Sequence, residues 1–62
     1  MYIPKLVSKE TVDGVIRTFM PRGLFYYQES SGIWVGVDNI TGDAWVETFE
    51  SEEECASWLK GI

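Results

Sequence analysis

The sequence predicts an α+β fold, in which a four- to five-stranded antiparallel β-meander is followed by one C-terminal α-helix packed on one face of the sheet. Two observations predict it. Residues 24–49 alternate β-branched and aromatic runs with short turns rich in Gly, Asn, Asp and Ser, which is typical of consecutive antiparallel strands. Residues 51–60 have the capping residues and apolar spacing of a helix. The length of 62 residues indicates a single small domain over residues 1–62.

A chain of this length buries only about 60% of the surface that it exposes when unfolded. Domains of this size usually need a disulfide, a metal or a partner chain for stability. Cys55 is the only cysteine and the chain has no histidine, which excludes an internal disulfide and a Cys/His zinc site. Aromatic residues make up 15% of the chain, so dense aromatic packing or association with a second copy must supply the missing stability.

Two structures compete for the segment that follows the first strand. Residues 2–7 (YIPKLV) predict a short strand, and Pro4 places that strand at a sheet edge because proline cannot donate to a neighbouring strand. For residues 8–20 we favour a hairpin around the turn dipeptide Asp13-Gly14. A helix stays open as the alternative, because Ser8 could cap it and apolar residues recur at helical spacing. These residues are Val12, Val15, Ile16, Phe19 and Met20.

The remaining elements are marked by their turn and capping residues. Predicted strands cover residues 24–28, 33–37 and 44–49, and Gly42 is suited to a left-handed turn position before the last of them. The helix begins with a capping box of Ser51 and Glu54 and ends near Gly61. Its predicted apolar stripe consists of Cys55, Trp58, Leu59 and Ile62.

The expected strand pairing divides the side chains between two faces of the sheet. We pair Gln28 with Ile33 and Asp38 with Asp43, which places Trp45 opposite Gly36, where the missing side chain leaves room for an indole. The aliphatic face then carries Leu24, Tyr26, Ile33, Val35, Val37, Ala44, Val46 and Thr48. The aromatic face carries Phe25, Tyr27, Trp34, Gly36, Trp45, Glu47 and Phe49, with Asp38 and Asp43 at its loop end. We expect the helix to cover the aliphatic face.

The aromatic face has two interpretations. Either residues 1–23 fold over it and make it core, or it is a contact surface, as exposed aromatic patches usually are. The second interpretation predicts a partner-binding surface whose residues are Tyr27, Trp34, Trp45, Asp38, Asp43 and Glu47.

Charge and residue types restrict the chemistry that the chain can perform. The net charge of −5 divides into +2 over residues 1–23 and −7 over residues 24–62, which argues against direct binding of a phosphate backbone. Without histidine there is no Ser-His or Cys-His nucleophile, and Cys55 lies on the predicted buried stripe. The carboxylates of the second hairpin are explained by turn chemistry. We therefore predict no catalytic residue, no metal and no cofactor.

The sequence thus favours a non-enzymatic interaction module that binds a protein partner, or itself as a homodimer, through its aromatic face. The alternative is an acidic inhibitor that mimics nucleic acid and blocks a basic site on another protein. No apolar run approaches the roughly 20 residues that a membrane helix needs, and the first residues do not resemble a signal peptide. We therefore expect a small cytoplasmic accessory protein of bacterial or phage type, with no membrane contact and no small-molecule substrate.

Overall fold

A computed structural model describes residues 2–61, which form a four-stranded sheet with one helix on each face. In chain order the elements are β1 (Lys5–Leu6), α1 (Lys9–Thr18), β2 (Leu24–Gln28), β3 (Trp34–Asp38), β4 (Trp45–Phe49) and α2 (Glu52–Lys60). The strand order is β1-β2-β3-β4, and β1 runs parallel to β2 whereas the other pairs are antiparallel. The predicted α+β class, with a C-terminal helix packed on one face, is confirmed, although one strand pair is parallel.

α1 occupies the segment for which we favoured a hairpin, and that prediction is wrong. Val12 and Val15 lie one helical turn apart and are fully buried against the sheet. Burying each valine is worth about 1.5–3 kcal/mol, which exceeds the cost of about 1 kcal/mol for Gly14 inside a helix. Ser8 caps the helix, as the alternative predicted, by accepting a hydrogen bond of 3.2 Å from the Thr11 amide.

β1 lies at the edge of the sheet, as Pro4 predicted, but it is shorter than expected. Only Lys5–Leu6 of the predicted strand at residues 2–7 pairs with β2. The intervening helix α1 returns the chain to its starting end, so β1 and β2 run in the same direction.

The register between β2 and β3 differs by one residue from the prediction, because Gln28 pairs with Trp34 rather than with Ile33. The longer loop is closed at its base by a main-chain hydrogen bond of 2.8 Å. A one-residue shift turns every side chain of β2 to the opposite face. Tyr27 therefore shares a face with Val35, and not with Trp34 as predicted.

The register between β3 and β4 differs by two residues, because Trp45 pairs with Asp38 and not with Gly36. A two-residue shift keeps each side chain on its predicted face. The connection between the paired residues therefore spans residues 39–44 and is longer than predicted. Ala44, which we predicted as the first residue of the strand, belongs to this connection and has a left-handed conformation with φ of 50°.

α2 packs on the aromatic face, whereas we expected it on the aliphatic face, and Gly36 gives the physical reason. A Cβ atom at Gly36 would lie 3.0 Å from the Cys55 Sγ and 3.3 Å from the ring of Trp58. The indole that lies across Gly36 therefore belongs to Trp58 of α2 and not to Trp45. Trp58 also packs against Phe49, with ring centroids 5.6 Å apart. Ile62, predicted on the same helical stripe, lies outside the described residues.

Each face of the sheet has its own core. The core under α1 is built from Val12, Val15, Phe25, Tyr27, Val35 and Val37. The core under α2 has Leu24, Cys55 and Leu59 at its centre, and partly buried Tyr26, Trp34, Ile40, Phe49 and Trp58 around them. The aromatic face is therefore covered mainly by α2, and not by residues 1–23.

Two glycine substitutions should have opposite effects on stability. We expect Gly36→Ala to lower the free energy of unfolding by about 1–3 kcal/mol, because its Cβ would meet Cys55 and Trp58. Gly14→Ala should raise that free energy by about 0.5–1 kcal/mol, because a Cβ there meets nothing within 4 Å. Urea midpoints at unchanged slope would measure both changes.

Each result also tests one structural assignment. A destabilised Gly14→Ala protein would contradict the helix, because the turn of a hairpin at this position needs a positive φ that alanine tolerates poorly. A neutral Gly36→Ala substitution would show that α2 does not approach β3 so closely.

Candidate functional site

Four of the six predicted site residues come together in a shallow cleft beside the connection between β3 and β4. The cleft has a volume of about 300 Å³ and is open to solvent. We call it the acidic cleft; it is lined by Asp38, Thr41, Asp43, Trp45, Glu47 and Trp58. The sequence pointed to its three carboxylates and to Trp45.

Trp45 is the most exposed tryptophan of the chain, with 61% of its surface accessible. It begins β4, and its side chain lies on the same face of the strand as that of Glu47. The indole N–H donates a hydrogen bond of 2.9 Å to the Glu47 Oε2 atom. This bond orients the indole, and most of the ring surface stays free to contact another molecule.

The two aspartates of the acidic cleft are held by local hydrogen bonds. The Oδ1 atom of Asp38 accepts from the Ile40 amide at 3.1 Å, and the Oδ2 atom of Asp43 accepts from the Thr41 hydroxyl at 3.0 Å. These bonds are the turn chemistry that the sequence predicted. The residues that line the cleft include three carboxylates and no lysine or arginine, but the Arg22 guanidinium lies against the same loop and donates a hydrogen bond of 3.3 Å to the Ile40 carbonyl. The three carboxylates therefore give the cleft a negative potential, which the single charge of Arg22 offsets only in part.

Asn39 fixes the loop that carries these carboxylates, and its role was not evident from the sequence. Its side chain is fully buried, donates to the Pro21 carbonyl at 2.8 Å and accepts from the Ala44 amide at 3.0 Å. Its main chain exchanges hydrogen bonds of 2.8 and 3.3 Å with Gly23. A buried amide side chain needs such partners. An asparagine in a predicted turn is usually exposed, so the sequence alone could not distinguish this buried asparagine from an ordinary turn residue.

Trp58 also contributes to the site, although its helical spacing predicted only a core position. It is half-buried, and besides packing over Gly36 it forms one wall of the acidic cleft. The predicted helical stripe identified its inward side correctly. Its outward edge becomes part of the site only because α2 crosses this face of the sheet.

The structure does not form the continuous aromatic surface of Tyr27, Trp34 and Trp45 that the sequence predicted. Tyr27 is buried under α1, where burial, followed by the charges of Glu29 and Asp13, raises the pKa of its phenol above the ordinary value of 10.0. Trp34 is half-buried beside Tyr26, with ring centroids 6.0 Å apart. It shares a sheet face with Trp45 but lies at the opposite end of β3 and β4.

Cys55 is fully buried in the core under α2. Burial, with a smaller contribution from Glu52, raises the pKa of its thiol above the ordinary value of 9.0. A thiol that is buried and protonated is a poor nucleophile. Within residues 2–61, no group of three or more His, Cys, Asp or Glu side chains is arranged to hold a metal ion. In the same part of the chain, neither helix has the length and apolar composition needed to cross a membrane.

Comparison of the chain with protein-family models, curated proteins and solved structures gives no significant match. Its function must therefore be inferred from its own surface, where the acidic cleft combines the exposed indole of Trp45 with three carboxylates.

Replacing Asn39 should destabilise the loop that carries the acidic cleft. We expect Asn39→Ala to lower the free energy of unfolding by about 2–4 kcal/mol, because the Pro21 carbonyl and the Ala44 amide both lose their partner. The control Thr41→Ala removes an exposed hydroxyl of the same loop and should change stability by less than about 0.5 kcal/mol. Equal urea midpoints for the two variants would contradict the role of Asn39.

The buried thiol predicts a loss of stability at alkaline pH. Folding raises the pKa of Cys55, so the protonated thiol stabilises the folded state. Its contribution to the free energy of unfolding is complete below about pH 9 and is lost as the pH rises through the folded-state pKa. We expect the free energy of unfolding to fall from neutral pH to about pH 10, and to fall less steeply in Cys55→Ala. The pKa of the Tyr27 phenol is also raised by burial, but Tyr27 is present in both proteins, so the difference between the two curves reports Cys55. Parallel curves for the two proteins would rule out a contribution from Cys55.

Proposed function

We propose that this protein is a non-enzymatic interaction module that binds a protein partner through the acidic cleft, with Trp45 as the central contact. The exposed indole of Trp45, held by Glu47, is the observation that carries this proposal. Tryptophan is enriched among the residues that dominate binding energies at interfaces. Here the ring is oriented before any partner arrives, so little conformational freedom is left to lose on binding.

The partner we favour is another protein rather than a second copy of this chain. Each copy has a net charge of −5 and would bring the same carboxylates to a symmetric interface around Trp45. Like charges across an interface oppose association. Self-association through Trp45 is the second form of the same proposal, and oligomeric state decides between them.

An acidic inhibitor that mimics nucleic acid is the alternative function. It is supported by the net charge of −7 over residues 24–62 and by the three consecutive glutamates at the start of α2. Such a protein would present many carboxylates to a basic surface, so its binding would depend on total charge rather than on one aromatic side chain.

We place the module in the cytoplasm, acting without a cofactor, a small-molecule substrate or direct nucleic-acid contact. The charge distribution supports the last point, because phosphate binding needs clustered lysine and arginine. The cytoplasmic location and the absence of a cofactor or substrate are parts of the interaction-module proposal and depend on it.

Capture of partners on the immobilised full chain tests the proposal. We expect a partner from the source cells to be retained by the wild-type protein and to be reduced at least about tenfold on Trp45→Ala, since truncating a central tryptophan typically costs about 2 kcal/mol or more. Glu53→Gln, an exposed change on α2, is the control and should retain the partner. Urea midpoints of both variants should stay close to wild type.

The other results separate the remaining functions. Retention that survives Trp45→Ala but disappears steeply with added salt would favour the acidic inhibitor. A wild-type dimer in light scattering at high micromolar concentration, converted to monomer by Trp45→Ala, would identify self-association instead. Retention that responds to neither change would exclude the acidic cleft as the binding surface.

A further inference from the structure

β4 is an edge strand, and among residues 2–61 no strand other than β3 pairs with it. It pairs with β3 over five residues in continuous register, and the strand order ends with it. In an antiparallel pair, alternate residues direct their amide and carbonyl groups away from the partner strand. Four of the five residues of β4 are exposed. The edge therefore presents main-chain donors and acceptors that another strand could use.

The opposite edge of the sheet is blocked by its local sequence, whereas β4 has a single charged residue, Glu47, along its length. β1 has only two residues, follows Pro4 and contains Lys5, which are three devices that prevent strand addition. β4 contains neither proline nor lysine, and no bulge interrupts its pairing with β3. Natural sheets usually block such an edge unless it is used.

Side chains on the two faces of β4 differ in chemistry, and this difference specifies what could pair there. On the α2 side, Trp45 and Glu47 belong to the acidic cleft. On the α1 side, Val46 is 40% exposed and Thr48 is exposed. Glu50 follows the strand directly. An added strand would therefore meet negative charge and an indole on one face, and a small β-branched surface on the other.

We propose that β4 accepts, as a fifth strand, an extended segment of a partner protein in which lysine or arginine alternates with β-branched residues. This inference rests on the proposed function and names the partner chemistry for the same site. Period-two alternation would place the cations over Trp45 and Glu47 and the apolar side chains beside Val46 and Thr48. Carboxylates and a tryptophan ring both attract cations.

Charge favours this occupant over a second copy of the chain. Two copies paired through β4 would concentrate Asp43, Glu47 and Glu50 of both chains at one seam, with no lysine or arginine in either strand to offset them. Like charges on neighbouring strands are destabilising. A basic segment instead neutralises the acidic cleft while it completes the hydrogen bonding of the edge.

The test uses two synthetic peptides of identical composition and fluorescence anisotropy with the full chain. One peptide alternates lysine and valine over nine residues, and the other groups the same residues into a lysine block and a valine block. We expect the alternating peptide to bind at least about tenfold more tightly than the block peptide. Equal affinities would overturn strand addition, because they would reflect charge attraction alone. Absence of binding by both peptides would overturn it as well.

N-methylation tests the main-chain hydrogen bonds directly. Only one set of alternate amides in an added strand faces β4. In the alternating peptide, one set consists of all lysine amides and the other of all valine amides. Methylating the set that faces β4 should therefore abolish binding, whereas methylating the other set should be tolerated. Equal effects of the two modifications would contradict a fifth strand. Slowed hydrogen exchange at β4 amides on addition of the unmodified peptide is the expected counterpart in the protein, and unchanged exchange would oppose it.

A charge-matched pair of protein variants locates the binding site. Val46→Lys places a lysine on the α1 side of the edge and should weaken the alternating peptide at least about tenfold. Glu53→Gln changes the net charge by the same amount on α2 and should have little effect. Equal weakening by the two variants would overturn the assignment to β4. Both positions are exposed, and circular dichroism with urea midpoints would verify that both variants fold.

The two proposals can fail separately. If a partner is captured in a Trp45-dependent manner, but the peptides show no preference for alternation and no difference between the two N-methylated sets, the interaction module is supported and strand addition is wrong. Capture that does not depend on Trp45 would remove the interaction module at this cleft. If the protein is a dimer whose β4 amides are protected from hydrogen exchange without any peptide, the strand that pairs with β4 is a second copy of the chain, and the proposed basic segment is wrong.

Discussion

The close approach of α2 to Gly36 is the contact on which the arrangement of this protein depends. Because Gly36 has no side chain, Cys55 and Trp58 can lie directly on the central strand β3. This contact places the helix on the aromatic face of the sheet and leaves the aliphatic face to α1. A chain with no disulfide thus obtains two separate cores from one small sheet, each closed by a single helix. The remaining features of the surface follow from which parts of the sheet the helices cover.

The acidic cleft exists at the place where coverage by α2 ends. Trp34 and Phe49 lie among the core residues of this face, whereas Trp45, at the other end of β4, is left exposed. The connection between β3 and β4 is fixed by the buried hydrogen bonds of Asn39, so the neighbouring carboxylates lie on an ordered loop. An exposed aromatic ring, a set of acidic groups and the edge strand β4 thereby meet on one side of the molecule. Their coincidence connects the proposed function with the proposed mode of strand addition.

Much of the fold could be predicted from local patterns, and the errors have identifiable causes. Strand positions, the capped C-terminal helix and the edge location of the first strand follow from residue types that act over a few positions. The hairpin proposed around Gly14 was wrong because the local turn signal was outweighed by burial of Val12 and Val15, which depends on a sheet formed later in the chain. The faces of β2 were wrong because one additional loop residue reverses every side chain. Of the predicted site residues, the structure brings the three carboxylates and Trp45 together in one cleft, whereas Tyr27 lies on the other face because of that same register error.

The sequence by itself determined the class of fold, the charge asymmetry, the exclusion of histidine-dependent catalysis and the residues from which the acidic cleft is built. These properties are set by composition or by interactions between residues a few positions apart. Only the tertiary structure decided that α2 covers the aromatic face, that Asn39 is buried beneath the acidic loop and that β4 lies at the edge of the sheet. Each of these depends on strand register and on contacts between residues distant in the chain, such as Gly36 with Trp58. Local sequence signals constrain such contacts weakly, because several registers satisfy the same alternation of residues.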